Sequence, residues 1–122
     1  MTRLLDDPHP VIRYWAATGC LVLKDEAAPA RQKLMALLED SAADVRVVAA
    51  EALGNLGEAD RALRTLGEVL KTGNDYEVLA ALNVLELFAR KKLLPLEQVK
   101  ELVSGEYPEP LGRVVDWIQS LE

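Results

Sequence analysis

Few residues in this chain could carry chemistry, and they lie far apart. The chain has one histidine, His9, and one cysteine, Cys20. A metal site needs several convergent ligands, and a cysteine nucleophile needs a base beside it. His9 lies between two prolines and eleven residues before Cys20. We therefore expect no catalytic residue, no cofactor site and no metal site. Cys20 is interpreted as a small buried residue and His9 as an exposed turn residue, with a partner contact or a pH-sensitive helix cap as alternatives for His9.

The other polar candidates favour structural roles. Acidic pairs at loops are typical of solvated or capping residues, and here they are Asp6-Asp7, Asp25-Glu26 and Glu39-Asp40. The one basic cluster, 90–92, falls at a helix C-terminus, where the helix dipole favours cations. Asn83 is expected on a buried stripe, where an amide without partners costs about 1 to 3 kcal/mol. We interpret it as a hydrogen-bonded structural residue.

Composition narrows the classes of partner. The chain has 122 residues, with 14 Lys and Arg against 20 Asp and Glu, for a formal net charge of −6. A phosphate-binding surface would have to act against the field of the whole chain, which predicts no nucleic-acid partner. No apolar run approaches the roughly 18 residues that span a bilayer, which predicts no membrane partner. The composition does not predict the cellular compartment of the protein.

These residues lie on an internal repeat. Segment 7–17 shifted by 33 residues falls on 40–50, so that Asp, a branched aliphatic residue, Arg and Ala-Ala coincide. A third copy follows at a shift of 31, where Tyr76, Leu79, Ala80 and Ala81 fall under Val45, Val48, Ala49 and Ala50. The apolar spacing in each copy is that of two helices. We predict an all-α protein, an α-α superhelix of about three and a half antiparallel helix hairpins.

The predicted boundaries follow helix start and stop signals. In the second repeat, the first helix covers about 28–39 with Pro29 in its first turn, and the second begins near Asp44 as N-cap and stops at Gly57. In the third repeat, a helix over Ala59 to Leu70 precedes one that Asp75 opens and that runs to about Arg90. The repeats are expected at about 1–24, 26–57 and 58–92, with an atypical cap at 93–122.

The two ends carry their own expectations. Residues 1–5 match only the second half of a first helix, so we expect the chain to begin inside a repeat and to be a piece of a longer polypeptide. Leu4, Leu5 and Trp15 would then leave apolar surface open, which predicts self-association or poor stability. Trp15 and Trp117 are expected in the core or at a repeat interface.

The string from Asp40 to Gly57 closely resembles the HEAT-repeat signature. In that family an Asp and the Arg six residues later form a ladder between stacked repeats. By position the resemblance assigns this structural role to Asp7, Arg13, Asp40 and Arg46. Lys71 and Glu77 replace the pair in the third copy, where we expect the ladder to be interrupted.

Segments 9–19, 44–54 and 80–86 resemble the helical-repeat segment that follows the catalytic domain in some bacterial sulfatases. This resemblance implies an accessory domain of a sulfuric ester hydrolase, with an exported or periplasmic parent. Sulfatases form a formylglycine nucleophile within a Cys/Ser-x-Pro-x-Arg motif. Cys20 is followed by Val22 and Lys24 at the Pro and Arg positions, so the motif is absent.

One row of residues is a candidate for recognition. In HEAT-like stacks the second helices line the concave face, and the least apolar row there is predicted to be Tyr14, Val47, Val78, Thr18, Glu51, Leu82, Val22, Asn55 and Glu86. Its mixture of aromatic, aliphatic and acidic groups suits a protein surface. Burial of some of these residues by curvature of the stack is left open.

The hypotheses are therefore three. The first is a non-catalytic accessory domain docked on a preceding domain of the same parent chain, and the second is a free-standing scaffold that binds a partner protein. HEAT-like proteins also include lyases that attach bilins and a group of DNA glycosylases, but no residue constellation supports either activity.

Overall fold

A computed structural model describes residues 2–122, with side chains from residue 3 onward. Met1, the first residue of the predicted first repeat, lies outside the described residues. The described chain is helical and contains no strand. Its α-helices are α1 (Pro10–Leu23), α2 (Arg31–Leu37), α3 (Ala43–Asn55), α4 (Ala59–Thr72), α5 (Asp75–Arg90), α6 (Leu96–Leu102) and α7 (Leu111–Ser120). Two 3₁₀ helices, Thr2–Asp6 and Lys24–Ala30, complete the described part.

The helices stack as hairpins in two layers. Helices α1, α3 and α5 lie side by side, and the first 3₁₀ helix, α2 and α4 back them as the other members of each hairpin. Helices α6 and α7 both pack on α5 and close the stack. The predicted α-α solenoid is confirmed, and it places three second helices in one curved layer.

The first element of each early repeat differs from its prediction. The expected helix 28–39 is a 3₁₀ helix, Lys24–Ala30, followed by the short α2. Pro29 lies inside the 3₁₀ segment and not in the first turn of an α-helix. Residues 2–6 are likewise 3₁₀ and not half of an α-helix. A 3₁₀ helix rises further per residue than an α-helix does, so a short 3₁₀ segment can still span the length of the layer.

The N-termini of α3 and α5 are capped differently. The N-cap of α3 is Ala42, and Asp44 is already in the first turn, so the predicted cap was wrong by two residues. Gly57 ends the hairpin at φ 81, a conformation that favours glycine. Helix α5 has a reciprocal capping box, in which Asn74 Oδ1 accepts from the Glu77 amide and Glu77 Oε1 accepts from the Asn74 amide, both at 2.9 Å.

The core runs along the seam between the layers. Its largest fully buried side chains include Leu5, Leu34, Leu53, Leu66, Leu85 and Phe88. Leu5 is 1% exposed, so the expectation that it leaves open surface was wrong. Trp15 and Trp117, expected in the core or at a repeat interface, are 63% and 58% exposed.

Helices α3 and α5 pack against each other at Gly54 and Phe88. A Cβ atom on Gly54 would lie 2.7 Å from Phe88 Cζ, inside van der Waals contact. Only glycine allows the Phe88 ring to fill the seam at this point. This contact sets how tightly the third repeat closes on the second.

Candidate functional site

The layer of second helices forms an open groove of about 580 Å³. Helices α1, α3 and α5 each contribute one wall. The groove is lined by Tyr14, Thr18, Leu21, Asp44, Val47, Val48, Glu51, Ala80, Asn83, Val84, Glu86, Leu87 and Arg90. We call it the concave groove.

Five residues of the predicted recognition row line this groove. They are Tyr14, Thr18, Val47, Glu51 and Glu86. Val78 and Leu82 lie outside it, with exposures of 5% and 0%, and Asn55 and Val22 are not among its lining residues either. Val47 contributes to the floor but is only 5% exposed. The prediction of Val78 and Leu82 as an interaction surface was wrong.

The error lies in the register of the third repeat. The fully buried Ala81, Leu82 and Leu85 match the fully buried Ala49, Ala50 and Leu53 at a shift of 32 residues, not 31. The one-residue shift turns Leu82 into the core. It also brings Asn83 to the position of Glu51, where Asn83 is exposed in the groove and not on a buried stripe.

The periodicity of the apolar residues in α5 was the sequence signal that could have placed Asn83 in the groove. Leu82, Leu85 and Phe88 recur at the i, i+3 and i+6 spacing of one helix face, and that face should have been assigned to the core. The Ala80-Ala81 pair, which matches the Ala-Ala pair of the earlier repeats, sets a register that is one residue off.

The rim of the groove is acidic. Asp44, Glu51 and Glu86 contribute three carboxylates against the one guanidinium of Arg90, a formal sum of −2. Glu86 Oε2 accepts from Arg90 Nε at 3.0 Å, and Asp44 Oδ1 accepts from the Val45 amide at 2.8 Å. These two carboxylates are therefore already engaged.

Glu51 differs from the other two acids. Burial raises the pKa of its carboxyl group, and the nearby Lys91 opposes that rise in part. No described group donates a hydrogen bond to its carboxylate. A partly dehydrated carboxylate of this kind gains from an added cation or hydrogen-bond donor.

The side of the groove that α1 lines carries an aromatic residue, Tyr14. Tyr14 packs edge-to-face on Trp15, with ring centroids 5.3 Å apart at an interplanar angle of 87°. One turn further, Thr18 Oγ1 donates to the Tyr14 carbonyl at 2.9 Å, so its methyl group is left to the groove. The buried residues of the lining are apolar and form its floor: Val47, Val48 and Val84.

The ladder residues lie outside the groove, at the junction of repeats. Arg13 donates from Nε and Nη2 to the two carboxylate oxygens of Asp40, at 2.7 and 3.2 Å. This bidentate contact joins the first repeat to the second and raises the pKa of the Arg13 guanidinium. Its side chains are only 14% and 7% exposed.

Each ladder arginine also binds within its own repeat. Arg13 Nη1 donates to the Asp7 carbonyl at 2.8 Å, and Arg46 Nη1 donates to the Asp40 carbonyl at 2.7 Å. Within the described chain, Arg46 has no ion pair to the third repeat. The ion pair between the second and third repeats is instead made by Arg31, whose Nη1 donates to Glu58 Oε2 at 2.7 Å.

His9 and Cys20 lie apart. The His9 side chain is 75% exposed, with Nδ1 at 3.0 Å from Asp7 Oδ1. The backbone amide and the imidazole of His9 lower the pKa of the Asp7 carboxyl group. Cys20 is 1% exposed, and burial raises the pKa of its thiol.

The described residues contain neither a cluster of metal ligands nor a helix that could span a membrane. No group of three or more His, Cys, Asp or Glu side chains there could hold a metal ion. No helix in the same part of the chain is long and apolar enough to cross a membrane.

Comparison with known proteins identifies the repeat. No curated protein matches the chain. A family model described as HEAT repeats matches residues 1–86, which include most of the three stacked hairpins that form the groove. The chain therefore belongs to the HEAT-repeat family.

Proposed function

We propose that this chain is a non-catalytic docking scaffold that binds a segment of a partner protein in the concave groove. HEAT repeats commonly mediate interactions between proteins, which is the general support for this role. The observation that carries it here is the groove itself, with an apolar floor, an aromatic wall and an acidic rim on three successive helices. Such mixed surfaces suit protein partners.

The charge of the groove indicates the chemistry of the segment. A partner that carries apolar side chains and one lysine or arginine would fill the floor and pair with Glu51. The partly buried carboxylate makes that pair stronger than one at an open surface, because water screens it less. Recognition of an acidic segment would place like charges together.

Site-specific photocrosslinking tests this proposal. A photoreactive amino acid is placed at Asn83, in the groove, or at Gln32, an exposed residue of α2 outside it. In cells that express the protein, we expect a discrete protein adduct from position 83 and none from position 32. Equal adducts from both positions, or none from position 83, would contradict the proposal.

The narrower resemblance to the helical segment of bacterial sulfatases stays a prediction about a parent chain. The family match is to HEAT repeats alone. Identification of the position 83 adduct, or of a catalytic domain in the same polypeptide, would decide between a partner in trans and a neighbouring domain.

A further inference from the structure

A second apolar pocket lies at the turn between α5 and α6 and shares no lining residue with the concave groove. Its volume is about 470 Å³, and it is lined by Ala89, Lys92, Leu93, Leu94, Pro95, Leu96 and Glu122. Leu93 is 37% exposed and Leu94 only 2%, so the pocket reaches from the surface towards the core. We call it the turn pocket.

The backbone turn that ends α5 forms one side of this pocket. Lys92 has φ 60, in the left-handed region. Its amide donates to the Ala89 carbonyl at 3.0 Å, and the Leu93 amide donates to the Phe88 carbonyl at 2.8 Å. These are the two hydrogen bonds of a Schellman motif, which needs a left-handed residue where Lys92 stands.

The same motif ends α3, but with glycine in the left-handed position. Gly57 has φ 81. Its amide donates to the Gly54 carbonyl at 3.3 Å, and the Glu58 amide donates to the Leu53 carbonyl at 2.9 Å. Glycine adopts this conformation at the least cost, whereas a side chain makes it unfavourable. A lysine held in such a conformation indicates a role for its side chain.

The ammonium group of Lys92 is available for a partner. Lys92 is exposed, and it takes part in no ion pair or side-chain hydrogen bond with any other described residue. The dipole of α5 favours cations at this end, but Arg90 and Lys91 already provide them without a left-handed lysine. Glu122 is the one acidic residue among the described residues that line the pocket.

We propose that the turn pocket binds a short segment of a partner protein in which an apolar side chain stands next to an aspartate or a glutamate. The apolar side chain would contact Leu93 and Pro95, and the carboxylate would bind the Lys92 ammonium. The ligand is acidic because the unpaired cation of this pocket lies beside its exposed apolar surface. The concave groove, with its acidic rim, favours the opposite charge, so the two sites are independent.

A flat anionic membrane fits this pocket less well than an acidic segment does. The chain has a formal net charge of −6, and an anionic surface would repel it as a whole. A short segment interacts mainly with charges within about 8 Å, the Debye length at physiological ionic strength. At that range Lys92 and its neighbour Lys91 contribute two positive charges.

Peptide titration of the full chain, followed by amide NMR shifts, tests the proposal. The probe is the peptide acetyl-Leu-Glu-Leu-Glu-amide, and its matched control is acetyl-Leu-Gln-Leu-Gln-amide. We expect saturable shifts of the Lys92, Leu93 and Leu94 amides with the acidic peptide, and at least about fivefold weaker binding of the neutral one. No saturable shift at this turn, or equal binding of the two peptides, would overturn the proposal.

The variant Lys92→Gly separates binding from folding. It removes the ammonium group and relieves the left-handed conformation, so it should unfold at a higher temperature than the natural chain and yet bind the acidic peptide at least about fivefold more weakly. Lys71→Gln removes one positive charge from an exposed site of α4 outside the pocket, and it should bind as the natural chain does. Equal binding by Lys92→Gly and the natural chain, or equal weakening by both variants, would overturn the proposal.

Vesicles that contain phosphatidylserine test the other occupant. We expect the natural chain to stay in the supernatant when the vesicles are sedimented. Cosedimentation that Lys92→Gly abolishes would show that the turn binds a membrane surface, and it too would overturn the proposal.

Discussion

At the scale of single residues, Glu51 has the most unusual environment in the groove. Its carboxylate lies between apolar floor residues, and burial raises its pKa. A group whose folded pKa is raised above its unfolded value destabilises the fold when it is ionised. Ionised Glu51 therefore slightly lowers the free energy of unfolding of the unbound protein, and a cationic partner would remove this effect.

Glu51→Gln should increase the free energy of unfolding at pH 7, by less than about 1 kcal/mol because the group is partly in water. The gain should shrink as the pH falls through the raised pKa of folded Glu51 and should be absent well below the ordinary value of 4.5, where Glu51 is protonated in both the folded and unfolded states. Urea denaturation at pH 7 and pH 4 measures it. Glu101→Gln, at an exposed site, is the control; an equal gain from both variants would show that net charge, not burial, is responsible.

The capping box at Asn74 gives a second prediction at this scale. Asn74→Ala removes the oxygen that accepts from the Glu77 amide and should cost about 1 kcal/mol. Asn74→Asp keeps an acceptor there and should stay close to the natural protein in chemical denaturation. If the two variants lost the same stability, the cap would not be responsible.

At the scale of the elements, the walls of the groove depend on how closely α3 and α5 pack. Phe88 is 1% exposed and its ring lies against Gly54, so the ring has no free space into which to move. The distance between these helices sets the width of the groove between Glu51 and Asn83.

Gly54→Ala should destabilise the protein by about 1 to 3 kcal/mol, because the added methyl group meets the Phe88 ring and overpacks the seam. Gly67→Ala in α4 is the matched change, since its Cβ would lie 3.1 Å from Cδ1 of the flexible, half-buried Leu102. There the better helix propensity of alanine should offset the contact. Thermal unfolding that ranks the two variants in the opposite order would contradict this account of the seam.

At the scale of the whole molecule, the repeats are joined by apolar packing and by a few bridging ion pairs. The contact between Arg13 and Asp40 is the most enclosed of those ion pairs. It joins the first repeat to the second repeat, which lies at the centre of the groove.

Asp40→Ala should lower the free energy of unfolding, because it leaves the Arg13 guanidinium, whose side chain is only 14% exposed, without its carboxylate partner. Asp7→Ala removes the equivalent carboxylate of the first repeat, which no guanidinium binds, and should cost clearly less. Denaturant unfolding of both variants measures the difference. Equal losses would mean that the turn contacts, and not the bridge between repeats, stabilise the protein.

The sequence predicts the architecture better than the site, for a physical reason. Residues such as Asp40, Arg46 and Ala49-Ala50 recur at a constant spacing because stacking imposes the same contacts on each repeat. The third repeat lacks the Asp and Arg pair, so the Ala80-Ala81 pair alone set its predicted register, and a one-residue error exchanged Leu82 for Asn83. The open apolar surface predicted at Leu4, Leu5 and Trp15 is present at Leu4 and Trp15, which are exposed, whereas Leu5 is buried.

The central claim is that a partner binds in the concave groove. The most direct test uses the partner protein that the photocrosslinker at position 83 captures. Its affinity for the Asn83→Arg and Gln32→Arg variants is measured by titration calorimetry. Both add one positive charge to an exposed site. We predict at least about tenfold weaker binding for Asn83→Arg, a loss of about 1.4 kcal/mol, and unchanged binding for Gln32→Arg. Equal affinities for the two variants would contradict the claim.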